Sequence, residues 1–262
     1  MEKVRTIIGK EWAEVFKSRF VLFTVIFMPL FFTVLALVLL FLTRSAGTGD
    51  VSGPTSDALL RACPEGLTAE ECLQVYFVSQ FMLLFMMTPL IVPVNIAAYS
   101  IAGEKTTRSL EPLLATPITT IELLMGKNLA AAIPAVLATW GGFLLYALGA
   151  NLLIDNPKVL AALFDPEWWL AIAVVGPLLS ILSVNFSLMV SSRVNDPRAA
   201  EQLSAVVILP LLLVFFGQLA GWIVFNLQLV LISALVLVAV DVLMVFVAIR
   251  LFQRETILTR WR

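Results

Sequence analysis

The sequence has no histidine and only two cysteines, Cys63 and Cys72. These absences rule out a histidine–cysteine metal cluster and a cysteine–histidine nucleophile pair, so a zinc or haem enzyme would have to use other ligands. Charge is scarce too. Charged residues make up 13% of the chain and apolar residues 60%, whereas soluble domains average about 25% and about 45–50%. That imbalance places the chain among the all-α polytopic membrane proteins. The net charge of −1 says little about partners, because here the position of each charge matters more than the sum. No internal repeat is visible, which weakens a secondary transporter built from inverted repeats.

Six apolar runs reach the roughly 20 residues needed to cross the hydrocarbon core. They lie at about 20–42, 76–102, 128–154, 167–190, 203–225 and 229–249. The last two are separated only by Asn226, Leu227 and Gln228, which reads as a tight hairpin. Fourteen of the 17 basic residues fall on one side. They are Lys3, Arg5, Lys10, Lys17 and Arg19, then Lys105, Arg108 and Lys127, then Arg193 and Arg198, then Arg250, Arg254, Arg260 and Arg262. Only Arg44, Arg61 and Lys158 fall on the other side. The positive-inside rule puts both termini in the cytoplasm of a cell-membrane protein.

Charges run through the first 19 residues and no short apolar core precedes a cleavage site, so residues 1–19 do not read as a signal peptide. Val4, Ile8, Trp12, Val15 and Phe16 recur at helical spacing with Ile7 beside them, while Lys3, Lys10, Glu14 and Lys17 lie largely elsewhere. This reads as an amphipathic helix in the cytoplasmic interface of the membrane lipid, with Trp12 and Phe16 at headgroup level. A cytoplasmic tail covered by other protein is the alternative.

The first external loop spans residues 43–75, and in it Cys63 and Cys72 flank the stretch CPEGLTAEEC. On the oxidising side a disulfide that staples this loop is the favoured reading over two free thiols, with no redox role. The second external loop, Asp155 to Pro166, carries Asn-Pro and Asp-Pro turn signals. Trp168 and Trp169 behind it fit an aromatic belt.

The segment 103–127, GEKTTRSLEPLLATPITTIELLMGK, is the long polar interruption on the basic side. It is too elaborate for a reversal of direction. Ser109 can cap a short helix through Glu111, Leu113, Leu114 and Ala115, with Pro112 tolerable in its first turn. Thr116-Pro117 stops it. Thr119 or Thr120 then caps a new helix, with Glu122 in its first turn, which runs into the third span. Leu110, Leu113 and Leu114 form an apolar edge on the short helix.

The spelling Gly103-Glu104-Lys105, then Ser109-Leu110-Glu111-Pro112-Leu113-Leu114-Ala115-Thr116-Pro117, then Gly126-Lys127, resembles the signature loop of the type-2 ATP-binding-cassette (ABC) exporter permeases. The amphipathic start and the six-span layout with both ends inside are similar as well. The resemblance implies a permease dimer, a homodimer by default, sitting on two copies of a separate cytoplasmic ATPase. It makes 103–127 the coupling loop, with Glu104, Lys105, Arg108, Ser109, Leu110, Glu111, Leu113, Leu114, Pro117 and Lys127 facing the ATPase. Residues 1–19 become the elbow helix. Family members often carry a second acid followed by Gly-Thr; the matching places here are Thr106 and Arg108-Ser109, so that acidic contact is missing.

ATP and Mg would belong to the partner, and this chain binds no cofactor. A phosphate-cradling loop needs Gly, four residues, then Gly-Lys-Ser/Thr. At Gly126-Lys127 the first glycine is replaced by Ile121 and the hydroxyl by Asn128. No nucleic-acid partner is implied.

Within the spans, Asp241 is the one acid far from an interface, about 13 Å from Arg250 at helical rise. A carboxylate there costs on the order of 2.5–3.5 kcal/mol on insertion scales, so it should face protein or water. The favoured reading is an Asp that locks the last span to a neighbour, since no base lies in any span to complete a relay. A proton or cation role, in an ATP-independent secondary transporter or channel, is the alternative and makes Asp241 a further pathway candidate. An intramembrane protease is disfavoured by the missing histidine and the absence of a second aspartate. Gly217 and Gly221, four apart, allow close helix approach. The resemblance places the second and fifth spans at the dimer interface and pathway, making Asn95, Gln218 and the kinking Pro89 and Pro93 candidates to line it. Ser180, Ser183, Asn185 and Ser187 read as interhelical hydrogen-bonding groups.

Overall fold

Apolar runs of this length can satisfy their backbone polar groups in lipid only as helices or closed barrels, and the chain forms helices. The computed structural model describes residues 2–17, 19–46, 68–106, 118–223 and 225–251, and these contain no strand. Among the described residues, six helical stretches are long and apolar enough to cross a membrane. Helix α1 (Glu2–Lys17) precedes the first span, α2 (Arg19–Ala46). The second span is α3 (Ala69–Phe85) followed by α4 (Thr88–Thr106), and the third is α5 (Thr120–Leu153). Two short helices follow, α6 (Pro157–Leu163) and α7 (Pro166–Leu170). The fourth span continues through a π-helical turn, Ala171–Val175, into α8 (Gly176–Arg193). The fifth joins α9 (Pro197–Ser204), a 3-10 turn (Ala205–Ile208) and α10 (Leu209–Leu219), and the sixth is α11 (Leu227–Leu251).

The second span sits at the centre. It is enclosed on nearly all sides, whereas the first, fifth and sixth are mostly exposed. Helix α4 packs along α8 through a row of small residues: Ser183 donates to the Leu90 carbonyl at 2.7 Å and Ser191 to the Ala98 carbonyl at 2.7 Å. Both bonds join positions 93 apart, so the two helices run parallel in constant register. Asn128 on α5 donates to Asn185 at 2.8 Å, which ties the third span to the same pair. The interhelical role read for this serine row holds for Ser183 and Asn185. Ser180 instead bonds back to Gly176 of its own helix, and the buried Ser187 hydroxyl has no hydrogen-bond partner among the described residues.

Each interruption has a local cause. Pro89 lacks an N–H to bond the carbonyl four residues back and crowds it, so the second span breaks at Met86–Met87 between α3 and α4. Pro210 follows the 3-10 turn of the fifth span in the same way. The π turn frees a backbone carbonyl, and Trp140 of α5 donates its indole N–H to Ile172 there at 3.2 Å. Two threonines start helices by reciprocal capping: Thr68 with Glu71 on α3, and Thr119 with Glu122 on α5. Thr119, not Thr120, is therefore the cap of the third span.

Four sequence expectations are corrected. The fifth span does not continue to Phe225. It ends at Leu219 because Gly221 adopts φ 72°, while the Trp222 N–H bonds the Gly217 carbonyl at 2.9 Å and the Gly221 N–H bonds the Gln218 carbonyl at 2.9 Å. This is a Schellman stop, and a Cβ at Gly217 would lie 2.7 Å from Ile223. The two glycines thus fold the chain back on itself and do not admit another helix. Leu227 and Gln228 lie within α11, so the connection is longer than a tight hairpin. Trp168 is no belt residue, because it is buried and stacks on Phe225 with centroids 4.1 Å apart, while Trp169 stays exposed. Cys72 is disulfide-bonded, and Cys63 lies outside the described residues.

A left-handed backbone costs a non-glycine residue about 1–2 kcal/mol. Gly221→Val is expected to lower the thermal unfolding midpoint of the detergent-solubilised protein, and Gly221→Asn to lower it less, measured by intrinsic tryptophan fluorescence.

Candidate functional site

Residues 107–117, which hold Arg108, Ser109, Leu110, Glu111, Leu113, Leu114 and Pro117, lie outside the described residues. The stems that carry this segment are described, and they are held together by buried charge. Lys127, one turn beyond Leu123 on α5, is 2% exposed. Its ammonium reaches Glu11 of α1 at 2.6 Å and Glu104 of α4 at 3.1 Å. It also donates to the Ser100 hydroxyl at 2.7 Å and the Ser100 carbonyl at 3.2 Å. The Ser100 hydroxyl in turn donates to the second Glu11 oxygen at 3.0 Å. Glu104 accepts from Lys10 of α1 at 2.5 Å. Two acids and two bases from three helices therefore neutralise one another at the basic end of the bundle.

Helix geometry explains the convergence. Glu11 lies four residues after Ile7 and four before Val15, and these three are the buried positions of α1. An acid on the apolar stripe is thus carried into the protein with its neighbours. Lys10, one position away, sits at the edge of the stripe with 36% of its side chain exposed. Burial alone would pull its pKa down, but the hydrogen bond and charge of Glu104, with Glu14 and Glu11, outweigh this and hold it above the ordinary lysine value. Lys10 therefore carries its charge throughout the neutral range, and the stabilisation it provides is lost only as pH rises through that elevated value.

The remaining contacts of α1 fix its position on α5. The Trp12 indole N–H donates to the Ala130 carbonyl at 3.0 Å. Ile7 fills the space over Gly126, where a Cβ would come within 2.8 Å of the Ile7 Cβ. Lys3 pairs with Glu122 at 3.8 Å. Trp12 is half-buried against this helix, and Phe16 is exposed beside it in an edge-on ring contact.

The third stem residue, Lys105, turns to α8. Its ammonium donates to the carbonyls of Ser191, Ser192 and Val194, which are groups the end of that helix leaves without intrahelical partners. Ser191 completes the junction by accepting from the Ala102 N–H at 2.9 Å. Glu104, Lys105 and Lys127, grouped by the sequence with the ATPase-facing loop, thus join helices of this chain to one another. Glu11, Lys10 and Ser100 are partners that sequence reasoning missed. The available signal was an acid at the centre of an otherwise apolar helical stripe.

The polar pathway candidates Asn95, Gln218 and Asp241 lie on three different helices, and among the described residues none is hydrogen-bonded to another. Asn95 on α4 is buried and bonds back to the Ile91 carbonyl at 3.2 Å. Gln218 on α10 is buried next to the Schellman stop. Asp241 shares the buried face of α11 with Val230 and Ala248. Val230 packs in the cluster that holds Trp168 and Ala171, and Ala248 in the one that holds Val184 and Leu188, so this face is turned toward the fourth span. Neither Asp241 oxygen has a hydrogen-bond partner among the described residues.

Removing one member of a buried ion group strands the others, which typically costs about 3–5 kcal/mol. Lys127→Met should therefore destabilise the protein strongly, since it leaves Glu11 and Glu104 facing each other. Lys127→Met combined with Glu11→Gln should recover much of the lost melting temperature, as measured by thermal unfolding in detergent.

No curated protein matches the chain. The sequence model of the ABC-2 family transporter proteins matches residues 5–235, a stretch that includes most of α1, both stems of the 107–117 segment and the first five spans. With six membrane-length helices and this match over most of its length, the chain belongs to the ABC-2 transporter family, as a membrane-spanning permease.

Proposed function

We propose that this chain is the membrane subunit through which a separate cytoplasmic ATPase drives the export of a substrate. Family membership supports a permease subunit of an ABC transporter and implies ATP-binding partners. The observation that carries the proposal is the construction of the two stems. Residues 107–117 leave α4 two positions after Lys105 and return to α5 ten positions before Lys127, and both stems are fastened to the bundle by buried charges. A push on the segment would therefore reach the central second span and the third span directly. In this reading Arg108, Ser109, Leu110, Glu111, Leu113, Leu114 and Pro117 meet the ATPase, and the termini lie on the cytoplasmic side of the cell membrane. ATP and Mg are bound by the partner, and two copies of the chain form the permease. The exposed apolar ridge of the fifth span, with Leu209, Leu213 and Phe216, suits lipid or a second copy. A ligand shifts a conformation only by binding one state better than another, so the ATPase must prefer one position of this segment.

A second reading follows from Asp241, whose buried carboxylate lacks a partner among the described residues. A group in that state suits a proton or a cation, and so an ATP-independent transporter or channel.

Two experiments separate the readings. The chain should co-purify with a P-loop ATPase, and Glu111→Lys or deletion of 113–115 should abolish stimulation of that ATPase while the folded helical content stays unchanged. Retained stimulation in a well-folded variant contradicts the assignment. Asp241→Asn should leave ATP-driven transport in proteoliposomes at the wild-type rate across pH 6–8, whereas loss of a pH-dependent flux in that variant would favour the second reading.

A further inference from the structure

We infer that α1 is part of the moving element: Glu11 and Lys127 position it so that α1, the end of α4 and the start of α5 travel as one body when the ATPase acts on residues 107–117. The inference rests on the ATPase-coupled reading above and extends it to an element outside the coupling segment.

An amphipathic helix that merely floats in the membrane interface needs an apolar face and a charged face. The α1 helix has more than this. It sends Glu11 into the protein, where one carboxylate oxygen takes the Lys127 ammonium at 2.6 Å and the other takes the Ser100 hydroxyl at 3.0 Å. Its next residue back, Lys10, holds Glu104 from the other side. Glu104 is thus gripped by lysines from two helices, Lys10 of α1 and Lys127 of α5. The Trp12 bond to Ala130 and the seating of Ile7 over Gly126 add two contacts along the same pair of helices. Sliding α1 along α5 would separate buried opposite charges without water to replace them, so the low-barrier motion is that of the whole assembly.

The inner and outer pairs differ in a way that fits this role. The Lys127 side chain is 1% exposed and that of Glu11 6%, so their pair is shielded from salt and solvent. The Lys10 side chain is 36% exposed and also lies 3.7 Å from Glu14, giving it an alternative partner on its own helix. Lys10 can therefore change partner while the Glu11–Lys127 pair stays closed.

The test uses the full permease–ATPase complex and reads ATP hydrolysis. Lys3→Cys and Glu122→Cys are placed on α1 and α5, where the native side chains approach to 3.8 Å, and joined by a short thiol-to-thiol reagent. Each preparation is compared with itself before joining. If α1 and α5 move together, the joined complex hydrolyses ATP at the unjoined rate. If joining abolishes hydrolysis, α1 slides on α5 during the cycle and the inference is wrong. In the second arm, Glu11→Gln should lower permease-stimulated hydrolysis about fivefold or more, and Glu11→Asp, which keeps a carboxylate facing Lys127, should retain much of it. Unchanged stimulation in Glu11→Gln also overturns the inference. Should Glu11→Gln fail to assemble, the joining arm decides alone. A wild-type chain that associates with no ATPase sinks the underlying reading; a contrary result in an active complex sinks only the role of α1.

Discussion

A lysine with 2% exposure is stable inside a protein only if its charge is met at once, and the basic end of this bundle is organised around that need. Lys127 is met by Glu11 and Glu104, and Glu104 is met again by Lys10. Taking ions out of water costs several kcal/mol each even after relaxation, so such a group adds little net stability over an apolar core. What it adds is geometry. Only one placement of α1 brings Glu11 to Lys127 and Lys10 to Glu104 together, and that placement also sets Ile7 over Gly126 and Trp12 against Ala130.

A second junction completes the platform. Lys105 caps the carbonyl end of α8, and Ser191 bridges the backbone of α4, so the second and fourth spans are fastened together at the same end. The irregular turns lie farther along these spans, at Met86–Met87 and at Ala171–Val175. In the constant register of 93 set by Ser183 and Ser191, the break in the second span is level with residues 179–180. The π turn therefore lies within about 10 Å of it along the helix axis. The bundle thus joins a charge-fastened end to a region where both central spans lose regular hydrogen bonding.

The six-helix membrane architecture was legible because it rests on long-range composition, and the apolar stripe of α1 on helical period. The rest depended on information that periodicity does not hold. Glu11 breaks the stripe, but its partner lies 116 residues away and nothing local names Lys127. The fifth span read as running to Phe225 because its apolar residues continue past the stop, whereas the helix ends where Gly221 takes a positive φ. Gly217 and Gly221 have the spacing of a helix-packing pair, and only the backbone bonds from Trp222 and Gly221 distinguish a cap from an interface. The π turn, AIAVV, holds no polar residue, and its local signal lies just beyond it in Pro177, which lacks the N–H that would bond the Ala173 carbonyl. For the stems, Glu104 and Lys127 were legible as charged residues of consequence, but nothing in the sequence pairs them across α4 and α5.

The central claim is that force enters this permease through residues 107–117 from a soluble ATPase. A photoreactive amino acid in place of Leu114 tests this most directly, because it reports contact whatever the substrate proves to be. On illumination of intact membranes, the account predicts a covalent product between this chain and the ATPase subunit that changes in yield with ATP. Products with lipid alone, or a position 114 that reacts with membrane-impermeant reagents added outside the cell, would contradict it.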